Sequence, residues 1–226
     1  MIKSIFTSAC LLAALASNVQ AATLAAWDMF GQPGNQATSP VASPTANVTG
    51  VVMSRGPGLS PSAAGNSFSA TGWDTTTADD YFEFGFDVAP GYIASLDDLI
   101  IGTRSSGTGP GTIGVFTSLD GFSTSLASIA QVGTAFSNSV IDLSALGGIT
   151  GSFRVRLMEL GNTNANGTGA TGSGGTFRVA DYLDQSGAFI DTQFTGSVAL
   201  VPEPSSVVLV GLGLVGLMVA RRRRVA

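Results

Sequence analysis

Histidine is absent from the 226 residues, and cysteine and lysine each occur once. Without histidine there is no Ser-His-Asp triad, no His-dependent zinc centre and no imidazole acid–base chemistry. The one cysteine, Cys10, and the one lysine, Lys3, both lie in the first 21 residues, which read as a removable leader. The remaining chain would then hold no disulfide, no thiolate nucleophile and no Ser-Lys pair. Carboxylate pairs and oxygen-ligated metals are the chemistry left. Charge is also scarce, at 11% of residues, and no segment carries the periodicity of an amphipathic helix.

The basic residues are unevenly placed. Arg221 to Arg224 sit at the C-terminus, leaving Arg55, Arg104, Arg154, Arg156 and Arg178 for the middle of the chain. Those five face fourteen acids, a balance of −9 over residues 22–201. A phosphate backbone would be repelled, so nucleic acid is excluded as a partner.

Short alternating runs separated by turn residues fill residues 22–200. The clearest is Tyr81 to Val88, where Tyr81, Glu83, Gly85 and Asp87 take one face and Phe82, Phe84, Phe86 and Val88 the other. Leu24 to Phe30, Asn47 to Met53, Val140 to Leu143, Phe153 to Leu160, Phe177 to Leu183 and Phe194 to Leu200 read alike. Leu96 to Thr103 and Thr112 to Ser118 read as a consecutive pair across a glycine-rich loop. Asp120-Gly121 is a hairpin dipeptide from which Leu126 to Val132 returns. Nine to eleven strands without helices predict an all-β domain, an antiparallel β-sandwich of jelly-roll form.

Several residues invite a chemical reading. Asp79, Asp80, Glu83, Asp97, Asp98 and Glu159 are the candidate carboxylates for glycoside hydrolysis, which needs two at a fixed separation. Nothing in the spacing pairs them, and Glu83 and Glu159 read as solvated strand positions. Asp79-Asp80 and Asp97-Asp98 offer oxygens to Ca²⁺ without an ordered calcium-loop spacing, so they read as turn residues and no metal site is assigned. Trp27, Trp73 and Tyr92 would stack on sugar rings if exposed, but large aromatics among small residues read as core. Gly107 to Gly111 and Gly172 to Gly175 lack the lysine and following helix of a phosphate loop and read as loop tips. No catalytic residue and no cofactor are expected.

The two ends have their own logic. Met1-Ile2-Lys3, the apolar run Ile5 to Ala16 and Val19-Gln20-Ala21 compose a signal peptide, with cleavage by signal peptidase between Ala21 and Ala22. At the other end, Pro202-Glu203-Pro204 precedes Ser205 to Ala220, sixteen residues without a charge, and then Arg221-Arg222-Arg223-Arg224. As a helix that stretch would run about 24 Å, near the lower limit of a membrane span. The flanking prolines keep the peptide outside it extended, and the arginines hold the tail in the cytoplasm. Residues 22–201 would therefore face away from the cytoplasm.

Pro202-Glu203-Pro204, the short apolar segment and the terminal arginines together resemble the PEP-CTERM sorting signal, a tail also labelled ice-binding protein C-terminal domain. The resemblance covers about 25 residues. It implies that Pro202, Glu203 and Pro204 are recognised by exosortase, a membrane processing enzyme of bacteria that make extracellular polysaccharide. It makes the segment 205–220 a transient anchor and Arg221 to Arg224 a retention signal. The stretch from Leu24 to Phe122 also resembles exported PEP-CTERM proteins of unassigned role. The expected layout is a signal peptide at 1–21, an exported β-sandwich at 22–200 and a sorting signal at 201–226. The expected product is an inner-membrane-anchored precursor that becomes a non-enzymatic surface or matrix protein associated with exopolysaccharide. A carbohydrate-binding module or a carboxylate glycosidase is the alternative.

Overall fold

The computed structural model describes residues 21–73, 78–133 and 135–201. Its strands, in chain order, are β1 (Ala22–Trp27), β2 (Pro33–Gly34), β3 (Val48–Arg55), β4 (Ser60–Pro61), β5 (Ser67–Thr71), β6 (Tyr81–Val88), β7 (Tyr92–Ser105) and β8 (Thr112–Thr117). They continue with β9 (Ser125–Ala130), β10 (Ser137–Asp142), β11 (Gly148–Ile149), β12 (Ser152–Glu159), β13 (Phe177–Ala180), β14 (Tyr182–Leu183), β15 (Phe189–Ile190) and β16 (Thr192–Leu200). Short 3-10 turns at Ser118–Asp120 and Ser144–Leu146 are the helical pieces among the described residues.

Two sheets pack face to face. One has five strands in the order β3-β6-β12-β8-β9. The other has nine, built on the 14-residue β7. β16 and β13 lie end to end along one edge of β7, while β11 and β10 occupy the opposite edge. β1 then flanks β16, and β5 flanks β13. All these pairings are antiparallel; the short β2–β5 contact is parallel. The chain crosses repeatedly between the sheets, from β3 to β5, β6, β7 and β8, then from β9 to β10, β12 and β13.

Alternation dictates the core. In β6 and β12 the residues Phe82, Phe84, Phe86, Phe153, Val155 and Leu157 point inward and are buried. Phe194 from β16 meets Trp27, Phe84, Phe86 and Phe153 at ring separations of 5.6–5.7 Å. A second cluster joins Phe68, Phe82, Trp73 and Phe177. Each buried ring stabilises the sandwich by about 2–3 kcal/mol through lost apolar surface, and edge-to-face pairs add to that. On the outer face Arg156 pairs with Glu83 at 2.7 Å and Arg154 with Asp87 at 2.8 Å, as the β6–β12 register requires.

Two expectations change here. β7 and β8 belong to different sheets and do not pair, because both edges of β7 are already occupied and β8 lies between β12 and β9. The glycine-rich segments are not free loop tips: Gly109 and Gly175 carry the close backbone approach between them. A Cβ on Gly175 would stand 2.2 Å from the Thr108 carbonyl oxygen, and the Ala165 and Gly172 N–H groups donate to Gly109 O and Thr108 O.

Candidate functional site

β13 points Phe177 and Val179 into the core, so Arg178 between them faces outward. Its directly opposite residue on β7 is Arg104. Like charges at that register destabilise a sheet, yet among the described residues neither arginine has an acid within ion-pair distance, the ion pairs there being those of Arg154 and Arg156. Burial first, and Arg104 second, hold the Arg178 pKa below the ordinary arginine value. Phe136, just ahead of β10, lies over both guanidinium groups, with ring-centre distances of 5.1 Å to Arg104 and 5.3 Å to Arg178. Half of Phe136 is open to solvent.

From Arg178 a groove of about 340 Å³ runs between Phe136, Phe30, Leu183 and Phe189. Phe30 is 77% exposed and Phe189 73%. Local chemistry holds them out. Phe30 sits on a tight turn in which its N–H donates to Asp28 Oδ1, while the Gly31 N–H donates to Asn66 Oδ1; Gly31 takes φ 75°, which glycine adopts without steric cost. Phe189 belongs to the β14–β15 hairpin, whose turn is closed by Asp184 Oδ1 accepting from the Ser186 and Ala188 N–H groups. That hairpin is fastened to β10 by the Leu183 N–H donating to Asn138 Oδ1. Beyond Arg178 a second hollow of about 210 Å³ continues past Arg104 and Thr176.

The far end of the groove is acidic. Asp181 lines it, and its carboxylate lies within 4.8 Å of those of Asp28 and Asp191. Burial above all, with smaller contributions from Asp28 and Asp191 and against the Met29 N–H hydrogen bond at 2.9 Å, pushes the Asp181 pKa up to about 6. Burial, then Asp28, also raises Asp191. Three converging carboxylates are the donor set a hard divalent cation uses, and these residues fit that role better than either Asp-Asp dipeptide.

The other residues singled out in the sequence are dispersed. Trp27 and Trp73 are wholly buried and Tyr92 packs against the core, so none forms a sugar platform. Glu83 is paired with Arg156 on the outer face of its sheet. Glu159, three residues past Arg156 on β12, faces the other way, is 8% exposed and accepts a short hydrogen bond from Thr171 Oγ1. It is not the solvated strand residue expected, and the two glutamates cannot act as a pair. Asp97 and Asp98 lie within β7 rather than in a turn. Asp98 faces Asp142 on β10, and its pKa is raised by burial, then by Asp142 and Asp97. Asp80 is buried at 2% exposure, whereas Asp79 is exposed. Phe30, Phe136, Phe189, Arg104 and Arg178 were not legible as a site; lone aromatics beside turn residues were the available signal.

At the ends, Ala21 is exposed and Ala22 opens β1 opposite Gly196. The rest of 1–21 lies outside the described residues. So do Pro202, Glu203, Pro204, the segment 205–220 and Arg221 to Arg224. Among the described residues no helix is long and apolar enough to cross a membrane. The Val201 N–H donates to Gly91 O at 2.9 Å, one residue before the Pro-Glu-Pro segment.

An antiparallel sandwich ending against such a segment has the layout of an exported domain carrying a C-terminal sorting tail. Residues 200–224 match the family model of the PEP-CTERM protein-sorting motif. The chain carries that motif, which implies an exported, membrane-anchored precursor processed by exosortase. No curated protein matches the chain, and no solved structure does.

Proposed function

We propose that the chain is a non-enzymatic surface or extracellular-matrix protein, sorted by exosortase, whose jelly-roll sandwich associates with extracellular polysaccharide through the aromatic groove. The observation that carries this reading is the set of exposed rings, Phe30, Phe136 and Phe189, around one concavity. Single exposed apolar residues are ordinary, but rings gathered around a groove with amides and charges at its ends suit the apolar faces and hydroxyl edges of sugars. The alternation of strands between sheets supports the jelly-roll form. Residues 1–21 are taken as the signal peptide, 22–200 as the exported domain and 201–226 as the sorting signal. Cleavage between Ala21 and Ala22 would leave β1 whole. Pro202, Glu203 and Pro204 serve as the recognition peptide, and Arg221 to Arg224 as the cytoplasmic stop.

Intact-mass analysis of the protein recovered from cells tests the sorting half, with loss expected at both ends. A mass that retains the arginine tail would make the anchor permanent. The groove is tested by a glycan array on the wild-type chain and on the Phe30→Ala/Phe189→Ala variant. Wild-type signals that survive both replacements would remove the groove from the account.

One observation favours a second reading, a glycosidase of the same polymer. Asp181 combines a pKa of about 6 with neighbouring carboxylates in the groove, the arrangement of a general acid beside an ionised partner. Turnover of an array-positive glycan that is lost in Asp181→Asn would establish it; binding without turnover leaves the structural role.

A further inference from the structure

Arg104 and Arg178 stand apart from the other arginines of the described residues. Fourteen acids surround five arginines in residues 22–201, and two of the other three arginines are matched to a carboxylate. The third, Arg55, donates to the Gly34, Gln36 and Ser69 carbonyl oxygens. Only the directly opposed pair, Arg104 and Arg178, is left with neither an acid nor a carbonyl partner among the described hydrogen bonds and ion pairs. Such a local conflict, between two arginines when the other three are each satisfied, marks positions kept for a ligand.

The surroundings specify the ligand. Guanidinium groups bind planar carboxylates through paired N–H donors. Phe136 stacks on both of them and also borders the groove, so an anion at the arginines would lie beside a ring suited to a sugar face. The Asn66 and Asn138 side-chain oxygens accept from the Gly31 and Leu183 N–H groups, which leaves both amide nitrogens as donors for hydroxyls. Asp181 at the far end is an acceptor for hydroxyl hydrogens. The two hollows share Arg178, so the surface continues past a single sugar. The rings are gathered around a concavity, which suits a chain lying in it better than insertion into a lipid face.

Resting on the polysaccharide-associated reading above, we infer that the groove binds a polysaccharide bearing carboxylate groups, with Arg104 and Arg178 holding one acidic sugar and Phe136, Phe30 and Phe189 flanking its neighbours. The test uses the full chain in detergent micelles, with EDTA present so that cation bridging at the aspartates contributes nothing. Affinity electrophoresis and calorimetry compare polygalacturonate with its methyl ester, which keeps the backbone and removes the charge, with neutral dextran, and with phosphatidylglycerol vesicles. The acidic polymer is expected to bind at least tenfold tighter than its ester at low salt. Arg104→Gln/Arg178→Gln is expected to erase that difference. The same variant should melt at or above the wild-type temperature, because it removes a like-charge contact; this separates a lost ligand contact from a lost fold. Equal affinity for acid and ester, or an acid preference that survives the double replacement, overturns the inference and leaves polysaccharide association standing. Tighter, arginine-dependent binding to the vesicles also overturns it, by assigning a lipid surface instead. Absence of binding to any polymer, including matrix polysaccharide from an exosortase-bearing bacterium, sinks the broader reading as well.

Discussion

Phe194 is the side chain on which the two sheets close, since four other rings from β1, β6 and β12 meet it. Phe194→Ala would leave a cavity that those rings cannot fill and should cost about 3–5 kcal/mol, read as a lowered denaturant midpoint with unchanged slope. Asp181 acts in the opposite sense. Its folded pKa, about 6, lies above the unfolded carboxylate value of 3.8, so the native state binds the proton more tightly. The sandwich therefore loses stability from this group as pH rises from about 4 to 6. Asp181→Asn, which keeps an oxygen for the Met29 N–H, should raise stability at pH 7 by roughly 1 kcal/mol, discounted because the group is partly open to solvent. Melting curves at pH 3 and pH 7 check this, and the gain should vanish at the lower value, below the unfolded carboxylate pKa. A gain of equal size at both pH values would show that the carboxylate titrates normally.

Among the elements, those with strict alternation were readable and those set by tertiary cover were not. β6 runs from Tyr81 to Val88 as its pattern demands, and β12 follows its own. β5 went unread because its serines, Ser67 and Ser69, are as buried as its Phe68, which hides the polar face that a pattern needs. The partnership of β7 with four strands is likewise invisible in Leu96 to Thr103, since register is a property of neighbours distant in the chain. The same reason hid the groove: Arg104 and Arg178 are far apart in sequence, and Phe30, Phe136 and Phe189 sit outside the regular core positions. Between the sheets, Arg55 at the end of β3 reaches over Phe68, 3.8 Å from the ring centre, and donates to the Gly34, Gln36 and Ser69 carbonyls. Arg55→Ala should cost about 3 kcal/mol by stripping those oxygens of their donors. Lysine in its place should recover less than half, because an ammonium cannot fan across three acceptors. Urea titration of both variants measures it.

At the scale of the whole molecule, on the proposed sorting, the acidic balance of residues 22–201 and the arginine tail would separate two tasks: an exported domain and a terminus that arrests transfer. The bond from the Val201 N–H to Gly91 O holds the chain to the sandwich up to the residue before Pro202. A peptidase that recognised Pro202 would work next to the rim of the sandwich, close to the Ala89-Pro90-Gly91 turn and the exposed Leu200. Excision would then keep pace with how readily β16 unzips from Tyr92. A six-residue Gly-Ser spacer inserted after Val201 should hasten release in pulse-chase experiments. An unaltered rate would mean that the scissile peptide is reached before the sandwich closes.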